Sequence, residues 1–379
     1  MIIGGAQENT LFSVEGLREY EDVEVVDLIT GPSLGPEGNL LDLKGLKKGR
    51  DYIYVEQLVR NINPIKDIVA FYKLFKIFKE KKYDIVHTHS SKAGILGRIA
   101  AKAAGVKLVI HTIHGLPFHD YQNGIVNFIY ILLEKIAALF SDKIVVVCDS
   151  MSKKALKKGI GKPELFETIY SGMDLDSFLN ARKFRNEARK KFGFCENDIV
   201  IGKIARLFYL KGHEYLFDAF FQLSRKHGNI KLLLVGDGIL REKYEKFVSE
   251  HGLEEKVFFA GLVPPDDIPF YLSAMDILVH VSLREGLARA LPQAMACGIP
   301  VVSFDVDGAR DIIENGENGY LVEPKDVDML RDSIEILLAD ENFRKRMGDY
   351  GRLKVDPIFR KEYMVRKLYE LYNFMLEGK

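Results

Sequence analysis

The chain has 379 residues, a hydrophobic content of 47%, and 54 basic against 54 acidic residues, which is typical of a globular protein with two domains. A net charge of zero gives no general argument for nucleic acid or for an acidic partner. Three widely spaced cysteines indicate neither a disulfide framework nor a structural zinc site. No apolar run approaches the length of a membrane span, so the sequence predicts a cytoplasmic protein.

The first half alternates predicted strands with predicted helices, which favours a parallel sheet. The paired glycines Gly4 and Gly5 mark a turn where backbone can approach a ligand closely before the first helix. Only three residues precede that turn, so we expect a truncated or vestigial first strand, or a gene product that begins upstream of Met1. The apolar run Ile125 to Leu133 contains Asn127 and suits a buried helix. The predicted strands cover residues 24–29, 53–56, 84–87, 107–111, 143–148 and 167–170.

Basic residues are concentrated in the first half. From Arg60 to Lys107 there are eleven Lys/Arg residues against three acidic ones, and five lysines between Lys153 and Lys162 extend the excess. Such an excess of positive charge could bind the protein to an anionic membrane surface, with a binding free energy of roughly 1 kcal/mol for each well-placed charge. The simpler interpretation is that these lysines form the solvated outer faces of ordinary helices.

Two of the predicted strands have histidines at their carboxyl ends. Side chains at these ends face the ligand crevice of an α/β domain. The histidines are His87 and His89 on one strand, and His111 and His114 on the next. Without Asp, Glu or Cys at a recognisable spacing, we favour polar lining of a cleft over a metal site. The two DxD patterns, at 174–176 and 305–307, we interpret as structural.

The second half repeats the pattern, with predicted strands at 199–205, 231–235, 257–260, 276–281 and 300–304. Arg206 and Lys211 flank the turn after the first of these, a natural pair to neutralise a diphosphate. The GxGxxG fingerprint is absent, which counts against a nicotinamide or flavin oxidoreductase.

The stretch from Ser282 to Pro300 forms a loop, a helix and the start of a strand. Glu285 and Gly286 lie at the tip of the loop, and the first turn of the helix can hold an anion. Glu285 and Gln293 are eight residues apart, about two helical turns, so we expect both side chains on one side of the helix.

These segments together resemble the retaining glycosyltransferases of family 4, which have the two-domain GT-B fold. Eight blocks occur in the family's order over nearly the whole chain: GGAQ (4–7), VHTHSSKAGILGR (86–98), HTIHG (111–115), IYSGMDLDSF (169–178), GKIARLFYLKGHEYL (202–216), VGDG (235–238), REGLARALPQAMACGIPVV (284–302) and NGENGYLV (315–322). The resemblance implies two Rossmann-like domains facing each other across a cleft. Their expected ranges are 1–180, which binds the acceptor, and 181–355, which binds the donor. A final helix, 356–379, would pack back on the first domain.

The resemblance also implies a nucleotide-sugar donor, a UDP-sugar, and neither a further cofactor nor a metal. Arg206 and Lys211 would hold the diphosphate with backbone at Gly5, Gly286 and Leu287, while His114 and Glu285 would contact the sugar. Gln293 would face the ribose, and residues near Gly236 and Val263 would line the base. The departing phosphate would take the proton of the acceptor, so no protein base is assigned.

One position departs from the family pattern, which has a second glutamate where this chain has Gln293. Glutamine can still hydrogen-bond a ribose, so we expect weaker donor binding and an active enzyme. Three functions remain open: transfer to a cell-surface glycan or polyprenyl-linked acceptor, with peripheral contact at the inner face of the membrane; transfer to a soluble acceptor; and an inactive glycan-binding scaffold.

Overall fold

The computed structural model describes residues 1, 4–32 and 38–378. The chain divides into two compact units, Met1–Met173 with Phe359–Lys379, and Asp174–Ile358. The chain thus leaves the first unit at Met173, where the prediction was 180, and returns at Phe359, where the prediction was 356. Both crossings lie side by side, because the Met173 N–H donates to the Phe359 carbonyl at 2.9 Å and the Lys361 N–H donates to the Met173 carbonyl at 3.1 Å.

The described residues of the first unit form two parallel sheets. Its strands are β1 (Leu28–Thr30), β2 (Tyr52–Tyr54), β3 (Ile85–His89), β4 (Leu108–Ile113), β5 (Lys143–Val146) and β6 (Phe166–Thr168). The strands β1 and β2 pair with each other, and the larger sheet has the order β3-β4-β5-β6. Strand β4 is buried along its whole length, as expected for a parallel strand covered on both faces.

In the described part of this unit, helix α1 (Gly5–Leu17) precedes the first strand, and the helices between the strands are α2 (Leu40–Leu43), α3 (Pro64–Lys81), α4 (Ser91–Ala104), α5 (Gly124–Ala138) and α6 (Asp149–Lys157). The expected truncation of the first strand concerns Met1 to Ile3, and residues 2 and 3 lie outside the described part of the chain.

The sequence prediction for α5 was wrong in one respect. The run Ile125 to Leu133 was expected to be buried, but Ile125 and Phe128 are exposed and the buried positions are Glu134, Ala137 and Ala138. A run of this length, interrupted only by Asn127, resembles a core segment in sequence, whereas here only the side of the helix that carries Glu134, Ala137 and Ala138 is buried. Among the described residues, no helix is both long and apolar enough to cross a bilayer.

The second unit has one six-stranded parallel sheet. Its strands are β7 (Ile199–Ile204), β8 (Ile230–Val235), β9 (Val257–Gly261), β10 (Ile277–His280), β11 (Val301–Phe304) and β12 (Gly319–Val322). Their order, β12-β11-β10-β7-β8-β9, is that of a dinucleotide-binding Rossmann sheet. The order reverses between β7 and β10, which lie side by side although more than seventy residues separate them in the chain.

Nine helices surround this sheet: α7 (Leu175–Leu179), α8 (Arg185–Lys191), α9 (His213–Lys226), α10 (Arg241–Glu250), α11 (Ile268–Ser273), α12 (Ala290–Ala296), α13 (Ala309–Ile312), α14 (Val327–Ala339) and α15 (Glu341–Val355). A continuous core of aliphatic and aromatic side chains joins the strands to α9, α10 and α14.

The last helix, α16 (Lys361–Glu377), belongs to the first unit and packs on α1. A Cβ atom on Gly16 would lie 2.7 Å from a methyl group of Val365, so this contact requires glycine. Met364, Leu368 and Tyr372 complete a core with Leu108 and Ile110 of β4. The helix therefore covers one face of the larger sheet.

Candidate functional site

The site is built at the switch point of the second unit's sheet. The segments that follow β7 and β10 turn to opposite sides of the sheet. This opens a crevice at the carboxyl ends of these two strands. The loop after β7 carries Arg206 and Lys211, and the loop after β10 carries Glu285 to Leu287. The sheet order thus places the predicted cations and the predicted carboxylate beside one crevice.

Lys211 and Glu285 form an ion pair across this crevice. The Lys211 Nζ atom lies 2.5 Å from Glu285 Oε1, and about a fifth to a quarter of each side chain is exposed. The two loops are also joined by backbone, because the Leu283 N–H donates to the Leu210 carbonyl at 2.9 Å. Gly212 permits this approach: its φ is 68°, and a Cβ atom there would lie 1.8 Å from the Val281 carbonyl oxygen.

The loop that carries Glu285 is held by its backbone. The Glu285 N–H donates to Asp307 Oδ2 at 2.7 Å, and the Gly308 N–H donates to the Gly286 carbonyl at 3.0 Å. Asp307 has a φ of 47°, an uncommon conformation for a residue with a side chain. Because the anchor uses main-chain atoms of the loop, it does not occupy the Glu285 carboxylate.

Glu285 is ionised in this setting. Burial opposes its ionisation, but His280, whose Nε2 lies 3.6 Å from Oε1, and the Lys211 ammonium together hold the pKa of Glu285 well below its usual range. Burial lowers the pKa of His280 itself, so that ring is neutral near pH 7. The arrangement places one negative charge, on Glu285, beside one positive charge, on Lys211.

The remaining predicted residues of this unit follow neighbouring strand ends. Arg206 is exposed after β7, with its guanidinium 5.0 Å from the ring centre of Phe208. Gly236 follows β8 with a φ of 132°, and its N–H donates to the Gly261 carbonyl at 2.9 Å. Val263 follows β9 and is half-buried. All three therefore lie along the same edge of the sheet as Lys211.

Gln293 does not share a helix with Glu285. Helix α12 begins at Ala290, so Gln293 lies on the helix and Glu285 lies five residues before it in the loop. The expectation that helical spacing puts both side chains on one side is therefore wrong. Gly286 and Leu287 are half-buried in the same loop.

The predicted residues of the first unit gather at the ends of β3 and β4. His89 Nδ1 and His114 Nε2 are 3.0 Å apart, and the His87 and His89 rings stack at 4.6 Å. His87 Nε2 also lies 2.7 Å from the Thr112 hydroxyl, while His111 Nδ1 lies 2.9 Å from that of Thr88.

Burial lowers the pKa of His87 to about 3 and that of His114 to about 4, so both rings are neutral near pH 7. Both ring nitrogens of His87 contact hydroxyl groups, those of Tyr372 and Thr112, whereas His114 Nε2 contacts His89. Within the described residues, no group of three or more His, Cys, Asp or Glu side chains is arranged to hold a metal ion. Gly5 is the first residue of α1, whose amino end follows Gly4 in an extended conformation.

Three residues beside Lys211 and Glu285 were not singled out from the sequence: Lys203, His280 and Asp307. Lys203 is a fully buried lysine in the middle of β7. An ionisable residue inside an apolar strand was the signal that could have found it. Asp307 was noticed only as part of a DxD pattern, and the structure gives it the role of anchoring the loop.

Comparison with known proteins identifies both halves of the chain. Residues 5–177 match the model for Glycosyltransferase Family 4, and residues 184–354 match the model for Glycosyl transferases group 1. The UDP-Gal:alpha-D-GlcNAc-diphosphoundecaprenol alpha-1,3-galactosyltransferase of Escherichia coli is 31% identical over 329 residues, which cover 86% of this chain and 84% of that protein. The capsular polysaccharide biosynthesis glycosyltransferase CapM of Staphylococcus aureus is 28% identical and covers 89% and 90%.

Solved structures agree on the fold. HepE of Anabaena, crystallised with UDP, superimposes with a TM-score of 0.81 at 22% identity over 98% of this chain and 96% of that one. A glycosyltransferase from Rickettsia africae gives a TM-score of 0.80 at 21% identity over 100% and 97%. The chain belongs to glycosyltransferase family 4 and has the GT-B fold of two Rossmann-like domains.

Proposed function

We propose that the protein is a retaining, metal-independent hexosyltransferase that uses a UDP-sugar and extends a glycan or polyprenyl-linked acceptor in cell-surface polysaccharide synthesis. The observation that carries the proposal is the Lys211–Glu285 pair at the switch point of a Rossmann sheet in a family 4 chain. The donor class is supported by the Escherichia coli relative, whose name specifies UDP-Gal and a diphosphoundecaprenol-linked acceptor. A peripheral position on the membrane's inner face fits such an acceptor.

The chemistry follows from what glycosyl transfer requires. Breaking the bond between the sugar and the diphosphate builds negative charge on the leaving group, and Lys211 and Arg206 supply positive charge there. Donor binding would move the Lys211 ammonium from the Glu285 carboxylate to a phosphate, since both anions compete for one cation. Glu285 would then accept hydrogen bonds from the sugar's hydroxyl groups. His114 of the first unit, neutral through burial, would act as a hydrogen-bonding group for a sugar hydroxyl.

In this proposal the acceptor hydroxyl attacks from the face that the leaving group departs from, and its proton passes to the departing phosphate. The configuration at the anomeric carbon is thereby retained. NMR of the first-formed product tests this, because retention gives an axial linkage from an α-linked donor. An inverted product would overturn the mechanism and leave the transferase activity standing.

Thermal unfolding with a panel of nucleotide sugars tests the donor. A ligand at a hundred times its dissociation constant stabilises the folded state by about 2.7 kcal/mol, so a UDP-sugar should raise the Tm by several degrees. GDP- and ADP-sugars at the same concentration should give smaller shifts. A larger shift with GDP or ADP would reassign the donor, and no shift together with no hydrolysis or transfer would favour a glycan-binding scaffold.

Replacing Gln293 by glutamate is expected to lower the KM for the donor about fivefold with little change in kcat. A carboxylate forms a charge-assisted hydrogen bond to a ribose hydroxyl, roughly 1 kcal/mol stronger than that of an amide. The control is Asn197→Asp, which adds the same charge before the amino end of β7. An unchanged KM in Gln293→Glu would remove this residue from the donor site.

A further inference from the structure

Helix α5 exposes a long apolar stripe. Its members recur at helical spacing and have exposed fractions between 43% and 81%: Ile125, Phe128, Ile129, Leu132, Ile136 and Leu139. Side chains at positions i, i+3, i+4, i+7 and i+11 share one side of a helix. An exposed apolar stripe of this length marks a site where a protein or a membrane binds.

The opposite side of α5 is fixed inward by a buried ion pair. Arg98 of α4 is fully buried, and its Nη2 atom lies 3.3 Å from Oε2 of Glu134. Breaking such a pair would leave a buried charge uncompensated, so α5 cannot turn its apolar stripe into the core. Glu134 is also the only acidic residue of α5. The charged side chain that the helix presents to solvent is Lys135.

Lysines adjoin the stripe on the same face of the sheet. The order β4-β5-β6 with right-handed crossovers puts α5 and α6 on one face. On and after α6, five lysines are exposed: Lys153, Lys154, Lys157, Lys158 and Lys162.

A groove joins the apolar stripe to Lys162, the last of these lysines. Lys135, Ile136, Leu139 and Lys162 line one groove of about 650 Å³ between the end of α5 and the turn before β6. Two acidic residues share the groove, but Asp142 is paired with Lys102, which leaves the lysines in excess. Apolar and cationic surface are therefore continuous here.

We propose that α5 lies in the plane of an anionic lipid bilayer, with its apolar stripe at the acyl boundary and the lysines of residues 153–162 on the headgroups. This deepens the proposed function by naming the surface that brings the enzyme to a polyprenyl-linked acceptor. An apolar stripe flanked by lysines is the pattern of an interfacial helix, and each lysine near an anionic surface adds to the attraction. A second copy of the chain fits less well, since a two-fold contact would bring the same lysines together.

Vesicle sedimentation of the full-length protein tests this without any nucleotide sugar. We expect binding to phosphatidylcholine vesicles with 30% phosphatidylglycerol to exceed binding to pure phosphatidylcholine by at least about tenfold at low salt. The variant Ile125→Ser/Phe128→Ser/Leu132→Ser should lose at least about tenfold on anionic vesicles. The variant Lys153→Glu/Lys157→Glu/Lys158→Glu should lose the preference for anionic lipid.

The matched control is Ile239→Ser/Leu353→Ser, which removes two exposed apolar side chains of the second unit and should bind vesicles as the wild type does. Circular dichroism and the Tm shift with UDP-sugar show that each variant is folded. Unchanged vesicle binding in the α5 variant would overturn the proposal. So would a wild-type dimer that the α5 variant dissociates without any vesicle binding. Failure of the UDP-sugar shift with intact vesicle binding would instead reject the proposed donor alone.

Discussion

Replacing Glu285 by glutamine is expected to lower turnover by roughly two orders of magnitude or more, with a smaller effect on donor affinity. The substitution keeps the side chain's size and removes its charge. The loop should stay in place, because it is anchored by the Glu285 N–H on Asp307 and by the Gly286 carbonyl on Gly308. Initial rates at saturating donor, together with donor dissociation constants, separate the two effects.

The control is Glu254→Gln, which removes an exposed carboxylate of the same unit that precedes β9 and is therefore away from the carboxyl ends of the strands. Lys211→Met should also lose roughly two orders of magnitude, with weaker donor binding because the diphosphate loses a cation. The double variant should lose much less than the product of the two single losses, since the two side chains contact each other. Near wild-type turnover in Glu285→Gln would remove this carboxylate from the catalytic centre.

Glu285 is not expected to set the acid limb of the activity profile. Burial raises its pKa, but the contacts with His280 and Lys211 lower the pKa by more than burial raises it, so the carboxylate stays ionised near neutral pH. An acid limb near neutrality in the wild type that disappears in Glu285→Gln would contradict this assignment.

Local pattern was enough to predict the parallel sheets and the loops that form the candidate site. The alternation of apolar strands and amphipathic helices predicted that Arg206, Gly236 and Glu285 follow the carboxyl ends of strands. Each of these residues lies in the loop directly after its own strand. The pairing of Lys211 with Glu285 joins residues 74 positions apart and depends on β7 lying beside β10. Whether β7 lies beside β10 depends on the strand order of the whole sheet, and the spacing of apolar residues along the sequence does not determine that order.

The environment of a residue was harder to predict than its position. Asp307 supports the Glu285 loop from the end of another strand, so no short pattern links the two residues. Helix α5 misled for a different reason: the fold buries only one side of the helix and leaves most of its apolar residues exposed. A long apolar run predicts burial only when the fold offers enough surface to cover it.

Replacing Lys203 by methionine is expected to raise the free energy of unfolding at pH 7 by roughly 2 kcal/mol or more. The Lys203 side chain is fully buried, and its Nζ atom has no hydrogen-bond partner among the described atoms. Burial and the nearby Lys211 ammonium lower its pKa to about 7, although Glu285 and Glu214 act in the other direction. Methionine fills the same space without an amine to desolvate. Urea unfolding at pH 7 measures the change.

The pH dependence has a defined sign. Below about pH 7 the Lys203 amine is protonated in both the folded and the unfolded chain, so it does not make the free energy of unfolding change with pH. Between about pH 7 and 10.5 the unfolded chain holds a proton that the folded chain has lost, so stability rises with pH. The full difference between these pKa values corresponds to roughly 5 kcal/mol, at about 1.4 kcal/mol for each pH unit.

Lys203→Met should remove this rise, so its advantage over the wild type should shrink steadily from pH 7 to pH 10. The matched control is Lys231→Met on the neighbouring strand, where the ammonium donates to the Glu255 carbonyl at 2.9 Å at the protein surface. It should keep the wild-type slope. Parallel curves for Lys203→Met and the wild type would show that the Lys203 amine finds a partner in solution and stays protonated.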